Sequence, residues 1–178
     1  MSEALVIIAD HLSMLTLVGA ILALVAVMVH VVRRVYAFPA RLLDGTPRFD
    51  RFPRSAMVFF ALVAATILLD GLVVAHARSV VARALSAATT PRVLVNGQEP
   101  NDQAAVLAAV RSLESGLGHH SHPLDPIHIE IISSAGSVAL EMGRDSERPD
   151  EYWVFMPRYW ATKTLEIGRL TSTVFSRY

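Results

Sequence analysis

Cysteine is absent from the 178 residues, and lysine occurs once against fifteen arginines. Without cysteine the chain can form neither disulfides nor thiolate metal sites, and a cysteine nucleophile is excluded. The net charge is zero, with seven basic and five acidic residues up to Arg78 and nine and eleven after it. Neither part has the basic excess of a nucleic-acid-binding protein. The preference for arginine and the abundance of alanine hint at a GC-rich bacterial genome.

Signatures of several enzyme classes are also missing. The chain contains no Gly-x-Ser-x-Gly elbow, no His-Glu-x-x-His motif and no glycine-rich phosphate loop. Four acids, Asp145, Glu147, Asp150 and Glu151, lie close together in the sequence and are expected to solvate a hairpin loop, because no apolar pocket is predicted to separate their pKa values. We therefore expect a non-catalytic protein without a required cofactor.

Two long apolar runs dominate the first half of the chain. They extend from Leu12 to Val32 and from Ala56 to His76, and each is long enough to cross the roughly 30 Å hydrocarbon layer as a helix. The alternatives are weaker, since no basic region or nearby cleavage site marks an export signal and buried helices of soluble bundles rarely lack a polar face. The expected organisation is 1–32 tail and transmembrane helix, 33–55 arginine-rich loop, 56–88 transmembrane helix and helical stalk, and 89–178 a separate domain.

Arginine distribution predicts the orientation of these helices. No Lys or Arg precedes Leu12, whereas six arginines lie between the runs and only three follow soon after the second. The positive-inside bias places the 33–55 loop in the cytoplasm, where its basic and aromatic residues suit anionic lipid headgroups. In a Gram-negative bacterium, the protein would be a multi-pass inner-membrane protein with its N-terminus and C-terminal domain in the periplasm.

Small residues recur at helical spacing along both runs, which is the pattern that lets helices approach closely in lipid. The predicted packing seam between the helices consists of Thr16, Gly19, Ala23, Ala26 and His30 with Ala61, Ala64, Leu68, Gly71 and Ala75. In an antiparallel hairpin this seam would place Gly19 level with Gly71.

Asp70 is expected to point away from that seam, on the face of its helix that also carries Thr66. An aspartate within a span is normally sheltered by protein, water or protonation. A second chain is one possible partner for Asp70, and solvation at the outer interface is the alternative.

The region after the second run predicts a small α+β domain with the order strand, helix, strand, strand, strand and a mostly antiparallel sheet. Arg92–Asn96 reads as a strand ending in an Asn-Gly turn, and Asn101 or Asp102 can cap the following helix. Alternating apolar residues predict a hairpin formed by 127–133 and 138–142, then a strand at 152–156. A weaker element at 165–170 is expected to be an edge strand or a turn of helix.

Histidines suggest one possible binding site in this domain. His119, His120 and His122 lie within four residues, and His128 follows on the next predicted strand. Imidazole nitrogens bind Zn²⁺, Cu²⁺ or Ni²⁺, but the spacing matches no established signature, and a solvated connection explains the same composition.

Aromatic residues are concentrated between 152 and 160. Alternation assigns Tyr152 and Val154 to one sheet face and Trp153 and Phe155 to the other. The second face needs a cover, either the tail after Thr164, the membrane surface or a protein partner. The surface predicted for a partner comprises Trp153, Phe155, Tyr159 and Trp160.

These expectations favour a small inner-membrane protein that displays a periplasmic α+β domain and acts as an interaction or assembly component, alone as a homo-oligomer or with a protein partner. The alternative is a periplasmic metal sensor or delivery module that uses the histidine loop.

Overall fold

The computed structural model describes residues 2–43, 54–87, 90–116 and 121–178. The elements of this part are α1 (Glu3–Leu43), α2 (Arg54–Leu85), β1 (Arg92–Val95), α3 (Gln103–Arg111), β2 (Pro123–Ser133), β3 (Gly136–Asp145), β4 (Glu151–Phe155), α4 (Trp160–Thr164) and β5 (Gly168–Thr171). They form two compact units: a hairpin unit of residues 11–69, and a sheet unit of residues 1–10 and 70–178.

Two helices, α1 and α2, have the length and hydropathy needed to cross a membrane. Their candidate spans, Glu3–Arg33 and Arg54–Leu85, have mean hydropathies of 2.7 and 2.5, and only 6% and 11% of the most apolar windows are buried. A core helix of a soluble protein would be mostly buried, so the outward-facing apolar side chains distinguish these helices from that class.

The first helix extends beyond its predicted end. A loop was expected from residue 33, but α1 continues to Leu43 and Pro39 does not end it. The arginines at its C-terminal end belong to a good helix-forming residue type, and the apolar run marked the predicted lipid boundary rather than the end of the helix. The rest of the predicted loop, residues 44–53, lies outside the described residues.

Within the hairpin unit, several of the seam residues predicted on α1 are at least partly buried. Ala23 is buried, and Thr16 and Gly19 are part-buried. The Oγ1 atoms of Thr16 and Thr66 lie 2.8 Å apart, and a methyl group added at Gly19 would lie 3.2 Å from Leu62 Cδ1. A hydroxyl pair and a leucine seated over a glycine therefore join the helices, as expected where helix association depends on close packing and polar contacts.

The part of the predicted seam that lies on α2 differs from the prediction. All five small or apolar residues proposed for α2 are exposed, namely Ala61, Ala64, Leu68, Gly71 and Ala75, and on α1 Ala26 is exposed as well. A methyl group added at Gly71 would meet no atom within 4 Å. The face of α2 that contacts α1 instead carries Leu62 and Thr66. Small residues allow two helices to approach closely but do not fix which face is used, and here the hydroxyl pair and the packing of Leu62 over Gly19 fix it.

A five-stranded antiparallel sheet forms the centre of the sheet unit, with its strands in chain order from β1 to β5. The predicted isoleucines of β2 and the apolar alternation of β3 face the core, and Ile129 pairs with Leu140 in register. Asn96 and Gly97 turn the chain with positive φ, and Asp102 caps α3 by accepting a hydrogen bond from the backbone N–H of Ala105 at 2.9 Å. The weak element predicted at 165–170 overlaps the edge strand β5, whereas the short helix α4 precedes it and was not predicted.

Both long helices contribute residues to the core of this unit. Val6 on α1 is fully buried, as are Val73 and Ala77 on α2, and Val81 is only 2% exposed. Further along α2, Arg111 Nη2 donates to the backbone carbonyl of Leu85 at 3.3 Å. The segment predicted as a stalk is therefore one wall of the α+β core, and the sheet unit is built from two separate stretches of chain.

Asp10 connects the first of these stretches to the second. Its carboxylate is 5% exposed and accepts hydrogen bonds from the backbone N–H groups of Trp160 at 2.8 Å and Ala161 at 2.9 Å. These N–H groups begin α4, and the first N–H groups of a helix have no partner within it. A residue 150 positions earlier in the chain therefore supplies the cap that α4 lacks locally, since Tyr159 makes no side-chain capping bond.

Replacing Asp10 by Ala should lower the stability of the sheet unit by about 1–3 kcal/mol, because the buried N–H group of Ala161 and the part-buried N–H group of Trp160 lose their acceptor. Thermal unfolding of the full chain in non-ionic detergent, followed by tryptophan fluorescence, measures this loss. Glu3→Ala is the matched control, since its ion pair with Arg158 is exposed on both sides and should contribute little. Equal melting temperatures for the two variants would contradict the capping role.

Candidate functional site

The predicted aromatic surface is divided by the fold. Tyr159 is 3% exposed and packs edge-on against His76 with ring centroids 6.0 Å apart, so it belongs to the core. Trp153 and Phe155 are part-buried on the sheet face opposite Tyr152 and Val154, as the alternation predicts, and Trp160 is 37% exposed. These four residues do not form one exposed patch, because Tyr159 faces inward and the C-terminal tail covers Trp153.

Arg169 is the tail residue that covers Trp153. It belongs to β5, and its guanidinium carbon lies 3.8 Å from the centroid of the indole ring. The stacked, planar cation gains a cation–π attraction that is stronger where water is excluded. Arg169 itself is 6% exposed. Trp153 and Arg169 therefore belong to a buried charged cluster and do not form an open aromatic surface.

Three carboxylates surround this arginine. Arg169 Nη1 donates to Glu151 Oε1 at 2.9 Å, and its Nε donates to Glu166 Oε2 at 2.8 Å. Asp145 Oδ2 lies 4.0 Å from Nη1 and accepts a hydrogen bond from Trp153 Nε1 at 2.7 Å. These residues, Asp145, Glu151, Trp153, Glu166 and Arg169, are named the Arg169 cluster.

Asp145 holds the cluster to the β3–β4 connection. Its Oδ1 accepts hydrogen bonds from the backbone N–H groups of Glu147 and Arg148, and its Oδ2 accepts one from Ser121. Burial alone would raise the pKa of Asp145, but these hydrogen bonds and that of Trp153 outweigh burial and lower the pKa far below its usual value. The carboxylate is therefore ionised under all ordinary conditions.

Glu151 and Arg169 show the same balance. Burial opposes the charge of each side chain, yet hydrogen bonds from Arg169 and Arg148 lower the pKa of Glu151, and bonds to Glu166 and Glu151 raise that of Arg169. All three buried groups are thus held in their charged forms. This arrangement suits a structural ion network and offers no proton donor near neutral pH.

The prediction that the acids solvate a loop is therefore wrong for two of the four. Glu147 and Asp150 are exposed, whereas Asp145 is 1% and Glu151 9% exposed. The counter-charge comes from Arg169, in the element that the hydrophobic pattern predicted least clearly. The sequence did contain a signal for a buried cation, namely an arginine between Gly168 and Leu170 in a short apolar stretch. The sequence did not reveal the partners of this arginine, because they depend on the antiparallel pairing of β4 with β5.

A cavity of about 330 Å³ adjoins the cluster, lined by Glu114, Ser115, Gly116, Arg148, Glu151 and Arg169 among others. A Cβ at Gly116 would lie 2.5 Å from Glu166 Oε1 and 2.8 Å from Arg169 Nε, so any larger residue there would displace these side chains. Glu114 N–H donates to the Arg169 carbonyl at 2.9 Å. The loop after α3 therefore packs directly against the charged side chains of the Arg169 cluster.

Metal binding has no support from the described histidines. His122 Nδ1 lies 3.3 Å from Ser146 Oγ, and His128 Nδ1 lies 3.8 Å from Glu141 Oε1. Six residues of extended chain separate the two histidines by roughly 15–20 Å, so they cannot ligate one ion. His119 and His120 lie outside the described residues, and the remainder contains no group of three metal-ligating side chains.

Asp70, predicted to be an intramembrane acid with a second chain as one partner, is part-buried. It takes part in an interaction with another group of the protein. A contact between Asp70 and a second chain stays a prediction.

No protein-family model, curated protein or solved structure matches the chain.

Replacing Asp145 by Asn should destabilise the sheet unit by about 3 kcal/mol at pH 7, because Arg169 and four hydrogen-bond donors lose a buried anion. The lowered pKa values of Asp145 and Glu151 stabilise the fold above the unfolded-state value near pH 4, and that contribution is lost as the pH falls. Unfolding midpoints measured from pH 5 to pH 2 should therefore fall more steeply in the wild type than in Asp145→Asn, because the loss begins below the unfolded-state pKa near 4. Asp150→Asn, an exposed acid of the same connection, should follow the wild type, and a parallel decline in all three proteins would refute the network.

Proposed function

We propose that this chain is a non-catalytic two-pass protein of the bacterial inner membrane, with the 33–55 loop in the cytoplasm and the sheet unit in the periplasm. Its role is that of an interaction or assembly component in a membrane complex. The two candidate spans support the membrane location, and the charged state of the Arg169 cluster suits a structural role.

The distribution of exposed apolar side chains is the observation that carries the membrane location. Among the described residues, every large hydrophobic side chain that is exposed lies on α1 or α2, except Leu124, Trp160 and Leu165. Leu22 on α1 and Leu68 on α2 expose 66% and 69% of their surface. So much apolar surface on two helices needs lipid or protein around it.

Contacts within the sheet unit support an even number of crossings. The first residues of α1 and the last hundred residues of the chain form one body, through the bonds from Asp10 to Trp160 and Ala161 and the ion pair between Glu3 and Arg158. Two ends that touch must lie on the same side of the membrane. Two helices, both crossing, satisfy this condition, and the arginines before Arg54 favour a cytoplasmic turn.

A topology reporter tests this orientation. Alkaline phosphatase fused after Tyr178 should be active, and green fluorescent protein at the same position should be dark, because the first folds in the periplasm and the second in the cytoplasm. Fusion after Asp50 is the matched control and should reverse both signals. Phosphatase activity only at the loop fusion would overturn the orientation.

The exposed face of α2 supports association with another helix. Ala61, Ala64, Gly71 and Ala75 present small side chains that α1 does not cover, and such residues allow close helix contact in lipid. The partner is a second copy of this chain or another membrane protein.

Gly71→Leu should therefore reduce the mass of the complex isolated in mild detergent without lowering the melting temperature, since a Cβ added at this exposed position would meet no atom within 4 Å. Gly19→Leu is the matched substitution on the internal seam and should lower the melting temperature because it displaces Leu62. Native mass spectrometry and thermal unfolding measure the two effects. A wild-type protein that is monomeric with no co-purifying partner would refute the assembly role.

A further inference from the structure

The sheet unit contains a second polar cavity, distant in sequence from the Arg169 cluster. It has a volume of about 270 Å³ and lies between the end of α2, the β2–β3 turn and the segment before α4. Arg83, Arg158, His76, Tyr159, Ser137 and Glu3 are among its lining residues. Two guanidinium groups against one carboxylate give this cavity a net positive charge.

His76 provides a buried polar group for a ligand in this cavity. The residue is 8% exposed, and its ring contacts Tyr159 edge-on. Within the described part of the chain, neither ring nitrogen makes a hydrogen bond, and only the backbone carbonyl of His76 is used, by Ser79. The buried side-chain polar atoms without a partner among the described residues are His30 Nε2 and Tyr152 OH, so the ring nitrogens of His76 remain accessible and can bond to a group that enters the cavity.

An apolar cavity continues from the polar one. It has a volume of about 450 Å³ and shares Val80, Ser137, Val138 and Arg158 with it, while Ala139, Met156 and Pro157 complete the wall. The two cavities therefore form one cleft with a cationic end and an apolar end. A cleft of this kind is complementary to an amphiphile with an anionic head and a hydrocarbon chain. An inorganic anion would match only its cationic end, and an apolar molecule would match only its apolar end.

The position along α2 indicates the source of such a ligand. His76 ends the apolar run that begins at Ala56, and Val80 and Arg83 follow within two helical turns. In the proposed topology this stretch emerges from the bilayer, where phospholipid headgroups lie and where arginine side chains reach phosphate groups.

We propose that this cleft binds one anionic phospholipid, with its phosphate held by Arg83 and Arg158, a hydrogen bond from His76, and the start of an acyl chain along Val80, Val138 and Ala139. The ion pair between Arg158 and Glu3 opens or shifts when the phosphate binds. The inference rests on the membrane location in the proposed function, but not on the orientation or the assembly role.

Native mass spectrometry of the full chain in non-ionic detergent tests the site. Phosphatidylglycerol should bind with a stoichiometry of one and at least about tenfold more tightly than phosphatidylcholine, and Arg83→Gln should weaken binding by about tenfold. Glu3→Gln should strengthen it, because the competing carboxylate charge is removed. Arg92→Gln is the control, since this exposed arginine pairs with Glu99 on β1 and lies outside the cleft.

The apolar end is tested separately with Ala139→Phe, because Ala139 lines the apolar cavity and is not among the residues lining the cationic one. This variant should weaken phosphatidylglycerol but not inorganic phosphate, and thermal unfolding verifies that each variant is folded. Equal affinity for the two lipids, unchanged binding in Arg83→Gln, or phosphate binding with no effect of Ala139→Phe on lipid would each overturn the proposal. A reversed reporter signal with intact lipid selectivity would refute the orientation alone, so the two failures are distinguishable.

Discussion

The carboxylate of Asp10 is the contact on which the architecture of the sheet unit depends. It lies near the start of a long apolar helix, yet it caps α4 near the end of the chain. Without this cap, the buried N–H group of Ala161 and the part-buried N–H group of Trp160 would lose their acceptor. The first turns of α1 are thereby incorporated into a domain that the chain completes only after more than a hundred further residues.

Because Asp10 binds the start of α1 to the sheet unit, the long apolar helices also have a structural role in that unit. A helix that merely anchors a domain can be replaced by any hydrophobic sequence of suitable length, whereas Val6, Val73 and Ala77 are fully buried in the sheet unit. The two long apolar helices and the α+β core therefore share residues. Substitutions at these positions act on the stability of the sheet unit, and small side chains such as Ala77 and Ala84 are needed for close helix-to-sheet packing.

The two polar regions of the sheet unit, the Arg169 cluster and the cleft around His76, differ in how fully their polar groups are hydrogen-bonded. In the Arg169 cluster, the buried charges bond mainly to one another, and such completed networks specify a fold. In the cleft around His76, the polar groups are less saturated, and an apolar cavity lies beside them. Unused hydrogen-bonding capacity next to open volume is the condition for a binding site, which is why the ligand is inferred at the cleft.

Local patterns predicted most elements of the domain. The alternation in β2 and β3, the Asn96-Gly97 turn and the Asp102 cap each depend on residues close together in sequence, and the structure confirms them. The inward face of α2 was predicted wrongly, since both of its faces carry apolar residues and only contact with α1 distinguishes them. The burial of Asp145 was missed because its cation lies on β5, two strands away.

By itself, the sequence determined the two apolar helices, the order of the strands and which face of each strand is apolar, because hydrophobic periodicity and turn residues act over a few positions. Only the tertiary structure decided the seam of the hairpin, the ion partners of Arg169, the cap supplied by Asp10 and the cleft beside His76. Each of these joins residues that are far apart in the chain, and their energies depend on distances and burial that arise only when the elements pack.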